Sequence, residues 1–429
     1  MDVNQEIRRA RRALAVGQWT VSELTCRHIL AENPDCVAAY ELLATIAAGA
    51  GATEQVIGFL DSADSNRLVN RRLLQRLIFP GKIARQRQAL ERVAESRRAD
   101  AVAAKRYLVI KSWGFGFWSE VSHTLGGLLL AEVTRRTPIV HWGKNYRFGD
   151  GSARDAFQDY FEPVSAESVP DITHIDRASF FPPKWTKANL TEEVVSKWTG
   201  RGSRLGAVEF LNREATVAVV DYYVGVAHVA AWLPMSHSLH GKPLGDILNY
   251  LAKKYLRPRP VIISRCNSFY REMLAGAPYV AVHIRGADKA VEETDLHATN
   301  RKILAALDSI PDEFRIFLLT DDVHYLSVMK GRYGERVVAT ECQRTDTATG
   351  THYLPSTDRQ RAGLEVMTDV YLALRADKFI GNGRSNVAAL ISVMRDWRPD
   401  DCTLLGTSEL TNLRLRAYRD LRADPFVCT

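Results

Sequence analysis

The tightest constraint on this fold is a strand, a glycine turn, a helix and a second strand following one another within residues 107–141. Tyr107-Leu-Val-Ile-Lys111 is a short apolar run rich in β-branched residues and predicts a buried strand. Trp113-Gly-Phe-Gly-Phe-Trp118 follows as a turn carrying Gly114 and Gly116, and a helix is predicted from Glu120 to about Arg135. Thr137-Pro-Ile-Val-His141 predicts the next strand. Such a succession makes a βαβ unit, and with it a parallel sheet. Val217–Asp221 continues the pattern. The Pro-rich, aromatic stretch 163–198 is expected to form loops lining a cleft, where Phe180, Phe181, Trp185 and Trp198 either stack on a ligand or belong to the core.

A second α/β unit is expected after Tyr255-Leu-Arg-Pro-Arg-Pro260. Its candidate strands are Tyr279–His283, Arg315–Thr320, Arg336–Ala339 and Lys378–Ile380, with helices at 260–275, 296–309, 323–333 and 359–376. A chain of 429 residues is too long for one core. The expected organisation is two Rossmann-like lobes facing a cleft, at 107–258 and 259–429. In open parallel sheets ligands bind at the carboxyl ends of the strands, so motifs there carry most weight.

Residues 1–100 lie outside this pattern and are expected to be helical throughout, with turns at Gly17-Gln18-Trp19 and Asn33-Pro34-Asp35. About one and a half units resemble a tetratricopeptide repeat. Too few repeats are present for a free-standing solenoid, so the segment is read as a cap on the next domain or as a surface for a protein partner or self-association.

The net charge is +7, yet residues 66–106 alone carry twelve Lys/Arg against three acids. This basic linker is a solvated helix face, or suits an anionic membrane surface or an anionic acceptor. No recognised nucleic-acid module accompanies it, so no nucleic acid is expected. No apolar run approaches the roughly 20 residues of a membrane span, and Met1 to Trp19 hold no uninterrupted apolar segment of a secretory signal. The six cysteines are widely spaced, without CxxC pairs, and are expected to be reduced thiols. A cytoplasmic protein, in reach of the inner membrane surface, is the expectation.

Three strand ends carry the chemistry. Tyr279-Val-Ala-Val-His-Ile-Arg-Gly-Ala-Asp-Lys289 delivers His283, Arg285, Asp288 and Lys289, with Glu293 following. Guanidinium forks bind phosphate oxygens bidentately and Lys adds a point charge, so the stretch suits a diphosphate. Lys378-Phe-Ile-Gly-Asn-Gly-Arg-Ser-Asn-Val387 reads as a strand, a Gly-x-Gly turn and a helix start. It is an arrangement for presenting backbone N–H groups to an anion, with Ser385 or Asn386 capping the helix and touching phosphate. Leu318-Leu-Thr-Asp-Asp322 ends in two acids that cap the next helix or read a nucleoside. Adjacent acids without spaced partners are poor metal ligands, and no metal is expected.

Together these residues resemble the α-1,6-fucosyltransferase superfamily, which includes rhizobial nodulation-factor fucosyltransferases, eukaryotic core fucosyltransferases and, more distantly, protein O-fucosyltransferases. The carrying residues are Tyr255–Pro260, Val282-His-Ile-Arg-Gly-Ala-Asp-Lys289 with Glu293, Leu319-Thr-Asp-Asp322, Glu365-Val-Met-Thr-Asp369, and Ala376–Ile380 with Arg384-Ser385-Asn386-Val387. The Gly114 to Gly116 loop is similar to the family's Gly-aromatic-Gly loop. The resemblance implies an inverting, metal-independent GT-B transferase with a GDP-sugar donor, GDP-fucose first, and a glycan or glycoconjugate acceptor held by the lobe at 107–258. It implies that His283 and Asp369 sit near guanine and that Arg285 and Ser385 hold the diphosphate. Lys289 and Glu293 would serve the reaction centre, Glu293 as the base. Asp288, Asp322, Arg384, Asn386, Gly114 and Gly116 complete the candidate donor-binding set.

The sequence departs from the family at Gly286, where a second arginine is usual; Arg384 is a candidate replacement for the charge. That departure keeps two alternatives in view: a transferase using GDP-mannose or a UDP-hexose, and a non-catalytic protein that binds a GDP-sugar or glycan.

Overall fold

The computed structural model describes residues 2–15, 19–49, 105–144, 146–192, 210, 214–230, 233, 237–286, 295–347, 350 and 358–406. The basic stretch up to residue 104, Trp198, Asp288, Lys289 and Glu293 therefore lie outside the described residues.

Two sheets form the body. The first holds β1 (Tyr107–Lys111), β2 (Thr137–His141), β3 (Phe180–Phe181) and β4 (Val217–Val220) in the order β2-β1-β4-β3. The second holds β5 (Tyr279–His283), β6 (Arg315–Leu319), β7 (Val337–Val338), β8 (Lys378–Asn382) and β9 (Cys402–Leu405) in the order β7-β6-β5-β8-β9. Every strand pair is parallel. β1, β4 and β5 are buried at every position. Strands covered on both faces need that, and their continuous apolar runs reflect it.

Helix α4 (Phe117–Thr134) crosses from β1 to β2. It contains Gly126-Gly127, a poor helix pair that close packing explains. A Cβ at Gly126 would lie 2.8 Å from the Val224 carbonyl carbon, and one at Gly127 2.8 Å from Ile110 Cγ1. The helix thus lies nearer the first sheet than side chains permit.

On its other side α4 touches α5 (Leu244–Tyr255) and α10 (Asn386–Met394), and α5 packs on α10. One apolar cluster runs from Leu108, Ile110 and Leu125 to Tyr279, Phe317 and Ile391, joining the two sheets' packing. Hydrogen bonds fix the seam: Asn249 Nδ2 donates to the Val393 carbonyl (2.9 Å), and Tyr371 Oη donates to the Leu256 carbonyl (2.9 Å). Around the second sheet lie α6 (Pro260–Phe269), α7 (Leu296–Leu307), α8 (Val323–Tyr333) and α9 (Arg359–Ala373).

The N-terminal helices α1 (Val3–Ala15), α2 (Trp19–Glu32) and α3 (Val37–Gly49) bury Ile7, Cys26, Ile29, Leu30, Tyr40 and Leu43 in a core of their own. The turn at Asn33–Asp35 is present between α2 and α3. Among the described residues no helix is long and apolar enough to cross a membrane.

Several sequence expectations are corrected. α4 begins at Phe117 rather than Glu120, because Gly116 is its N-cap. The expected strand Arg336–Ala339 shrinks to β7, its start taken by a 3₁₀ turn at Gly334–Arg336. The stretch expected as loops contains the helical turn Val169–Thr173, closed by a Ser168/Asp171 capping box, and the edge strand β3. Trp185 in the same stretch is a core residue, 5% exposed. β9 carries no buried residue, so it lacks the apolar signature of the inner strands.

Candidate active site

β5 ends on His283, and the chain leaves it through Ile284, Arg285 and Gly286. The His283 imidazole is buried, and its Nδ1 finds no hydrogen-bond partner among the described residues. Burial, with the Arg285 charge acting the same way, pushes its pKa down to about 3, so it is neutral at physiological pH. A neutral imidazole with an unsatisfied buried nitrogen is prepared to meet a polar ligand.

Arg285 forms an ion pair with Asp321 at the end of neighbouring β6. The other oxygen of Asp321 accepts the Gly286 N–H at 3.2 Å, so one carboxylate holds both the guanidinium and the turn. Asp322 acts differently, accepting the N–H groups of His324 (2.7 Å) and Tyr325 (3.4 Å) as the N-cap of α8. Its side chain lies against Gly286. A Cβ at residue 286 would come within 2.7 Å of Asp322 Cβ and closer still to Oδ2. The missing second arginine thus has a steric reason. Gly286→Ala is expected to lower stability by about 1–3 kcal/mol, the usual cost of overpacking, read as a lower denaturation midpoint. An unchanged midpoint would mean that Asp322 swings aside freely.

Beside β5 in the sheet, β8 runs to Asn382, two residues further than expected. The Gly-x-Gly turn is consequently not an open cradle. Gly383 N–H donates to the Leu405 carbonyl (2.9 Å), and Ser385 N–H to the Asn382 carbonyl (3.0 Å). Arg384 N–H donates to Asn382 Oδ1 (3.1 Å). Ser385 caps α10, its hydroxyl accepting Val387 N–H at 3.3 Å. What remains toward an anion is the positive end of α10, where Asn386 is exposed, together with the Arg384 guanidinium. Arg384 Nε donates to Thr299 Oγ1 and Nη2 to Asp295 Oδ2, each at 3.3 Å.

Asp369 sits on α9, 8% exposed, and accepts a hydrogen bond from Thr340 Oγ1 at 2.6 Å. Burial pushes its pKa up to about 7 against the lowering pull of Thr340 and Arg344. Arg344 donates to the carbonyls of Thr340 (2.9 Å) and Cys342 (3.3 Å), and its buried Nε has no partner among the described residues. The segment carrying these residues joins the Arg285 turn: Thr345 N–H donates to the Asp321 carbonyl (2.9 Å) and Val323 N–H to that of Thr345 (3.1 Å). Asn300, Asn382, Thr340 and Arg344 were missed in the sequence. The Leu-Thr-Asp-Asp motif flagged Asp321, but nothing local marks the others.

In the first sheet the Gly114 loop is held from within. Buried Glu120 accepts the N–H groups of Trp113 (2.5 Å) and Gly114 (2.7 Å), while Arg147 Nε donates to the Gly114 carbonyl (2.9 Å). Gly114 has φ 80°, which favours glycine. Its polar backbone groups face the protein, whereas a Cβ on Gly116 would meet open space. Lys111 and His141 end β1 and β2; burial lowers Lys111 to about 8 and His141 to about 4.

No family model matches the chain, and no curated protein does. Solved structures do. NodZ α-1,6-fucosyltransferase soaked with GDP-fucose matches at 19% identity and TM-score 0.47, covering 68% of this chain and 93% of that one. A single-residue mutant of Arabidopsis thaliana FUT1 in complex with GDP matches at 13% and 0.45, covering 71% of each. POFUT1 in complex with GDP matches at 17% and 0.43, covering 70% of this chain and 99% of that one. These are fucosyltransferases, the superfamily that the sequence motifs resemble. Such likeness assigns no residue its role.

Proposed function

We propose that the chain is a glycosyltransferase that moves a sugar from a GDP-sugar, GDP-fucose first, to a glycan or glycoconjugate acceptor. The observation that carries this reading is the pairing of β5 with β8. Adjacent parallel strands bring Arg285 and the Arg384-bearing start of α10 to the same edge of one sheet. Two guanidinium groups and a helix N-terminus suit a diphosphate leaving group. Asp369 supplies acceptor oxygens for the N–H edge of guanine, and the neutral His283 imidazole a further polar contact.

In this reading the fold is GT-B and the transfer inverting. Glu293 takes the acceptor's proton while Arg285, Arg384 and Lys289 meet the charge growing on the diphosphate. Asp321 is committed to Arg285 and Asp322 to α8, so the cations, not a metal, are assigned the diphosphate. The basic segment 66–106 and helices α1 to α3 are assigned to acceptor, membrane-surface or partner contact in the cytoplasm.

The test is a melting-temperature screen against GDP, UDP and ADP, followed by GDP-fucose turnover in excess EDTA. Selective binding at 100 times Kd stabilises by about 2.7 kcal/mol, so GDP alone is expected to raise Tm. Stabilisation by UDP or ADP instead would overturn the donor. Loss of turnover in EDTA, restored by Mn²⁺, would overturn the metal-free site.

A second reading is favoured by Asp322 filling the place of the second arginine: a protein that binds a GDP-sugar without turning it over. Tight GDP binding with neither hydrolysis nor transfer would select it.

A further inference from the structure

Arg285 and Arg384 lie on different strand exits, 99 residues apart in the chain, yet one buried chain of amides joins them. Asn300 Nδ2 donates to the Arg285 carbonyl at 2.8 Å. Asn382 Nδ2 donates to Asn300 Oδ1 at 2.7 Å. Asn382 Oδ1 accepts the Arg384 N–H at 3.1 Å. Both asparagines are 0% exposed. A carbonyl only accepts and a backbone N–H only donates, so the two ends of the chain fix the orientation of both amides. The same helix, α7, also holds the Arg384 side chain through Thr299 and Asp295.

Burying two amides is unfavourable unless every group is paired, and a fully paired network rigidifies what it touches. An apolar pair would fill this space between α7 and β8 without that requirement. Asn300 and Asn382 link the two loops whose cations the proposed diphosphate must engage together. We propose that Asn300 and Asn382 are positioning residues that hold Arg285 and Arg384 at one fixed spacing, so that both grip a single diphosphate group. The proposal rests on the reading of this edge as a diphosphate site.

The test compares GDP, guanosine and inorganic pyrophosphate binding in the full chain by calorimetry, for wild type, Asn300→Asp and the milder Thr299→Val. In Asn300→Asp the ionised carboxylate faces the Arg285 carbonyl with no proton to donate. GDP and pyrophosphate affinity is then expected to fall about 10- to 100-fold, the usual effect of losing a supporting hydrogen bond behind a site. Guanosine affinity should stay unchanged. Lowering the pH protonates that carboxyl, returns the donor and should bring pyrophosphate affinity back toward that of wild type at the same pH. Thr299→Val, which leaves the amide chain intact and frees one Arg384 bond, is expected to show a smaller loss confined to the same two ligands.

Equal weakening of guanosine and GDP, or an Asn300→Asp protein that binds pyrophosphate like wild type, would overturn the proposal. An Asn300→Asp protein that does not fold leaves Asn300→Ala, which removes the same link without burying a charge, to decide by the same comparison. If wild type binds pyrophosphate but shows no preference for GDP, the guanine reading fails while the positioning role stands or falls on the pyrophosphate data. If wild type binds neither, both fail.

Discussion

Arg285→Ala should reduce GDP-fucose turnover by at least about 10², the scale on which a fixed electrostatic donor contributes to a transition state. Sugar transfer builds negative charge on the departing diphosphate. A guanidinium beside it therefore acts more strongly on the transition state than on the bound donor, and the loss should appear in kcat as well as in kcat/KM. The substitution also removes the cation paired with Asp321, which keeps only the Gly286 N–H among its described side-chain contacts. The double variant Arg285→Ala/Asp321→Asn separates the two effects. It should regain stability relative to Arg285→Ala and no turnover. Donor hydrolysis, which needs no acceptor, is the measurement. An Arg285→Ala protein with wild-type turnover would remove Arg285 from the reaction.

Asp369→Asn should produce opposite changes in stability and binding. Burial holds the Asp369 carboxyl up at about 7, well above its unfolded value of about 3.9. The folded chain therefore binds more protons than the unfolded chain across that range. The stability carried by the neutral acid is complete below about pH 4 and is lost as pH rises through about 7. Charging the empty site at pH 8 costs on the order of 4 kcal/mol, at about 1.4 kcal/mol per unit. Asparagine keeps an oxygen for Thr340 and never charges. Tm should then rise by a few degrees (roughly 2 °C per kcal/mol or less in a chain of this length) at pH 8 and change little at pH 4.

Nucleotide binding should move the other way. A carboxylate accepts both the N1–H and N2–H of guanine, whereas an amide places its own N–H groups against one of them. GDP affinity should fall about 10²-fold, as expected for two weakened charge-assisted bonds. In wild type the affinity should also drop about tenfold per pH unit below 7, since guanine binds the ionised acid; in Asp369→Asn that slope should vanish. Isothermal calorimetry from pH 5.5 to 8.5 reads both. A variant that keeps the wild-type affinity and slope would make Asp369 a core acid serving only Thr340.

The strands at the middle of each sheet were legible in the sequence. β1, β4 and β5 are covered on both faces, and double burial writes a continuous apolar run that any short window detects. The edge strands were not: β3 is two residues long and half-buried, and β9 has one exposed and no buried position. The start of α4 was misplaced because its cap is a glycine without a side chain to mark it. Within the site, His283 and Arg285 were visible because they directly follow an apolar strand, and Ser385 because it opens a helix as its cap.

The sequence by itself determined which strand ends carry charge, because a strand, its turn and the following helix cap are set by neighbours in the chain. Only the tertiary structure decided what those charges meet. Asn382 reaches Asn300 across 82 residues, Asp321 reaches Arg285 across 36, and Thr340 reaches Asp369 across 29. Each meeting follows from the strand order β7-β6-β5-β8-β9, which sets β6 and β8 on either side of β5. The exclusion of a second arginine at Gly286 has the same origin. It depends on Asp322, a residue that the sequence marks as a helix cap or a nucleoside reader, lying against the turn after β5. A local pattern specifies which side chain leaves a strand; the order of strands in the sheet specifies its partner.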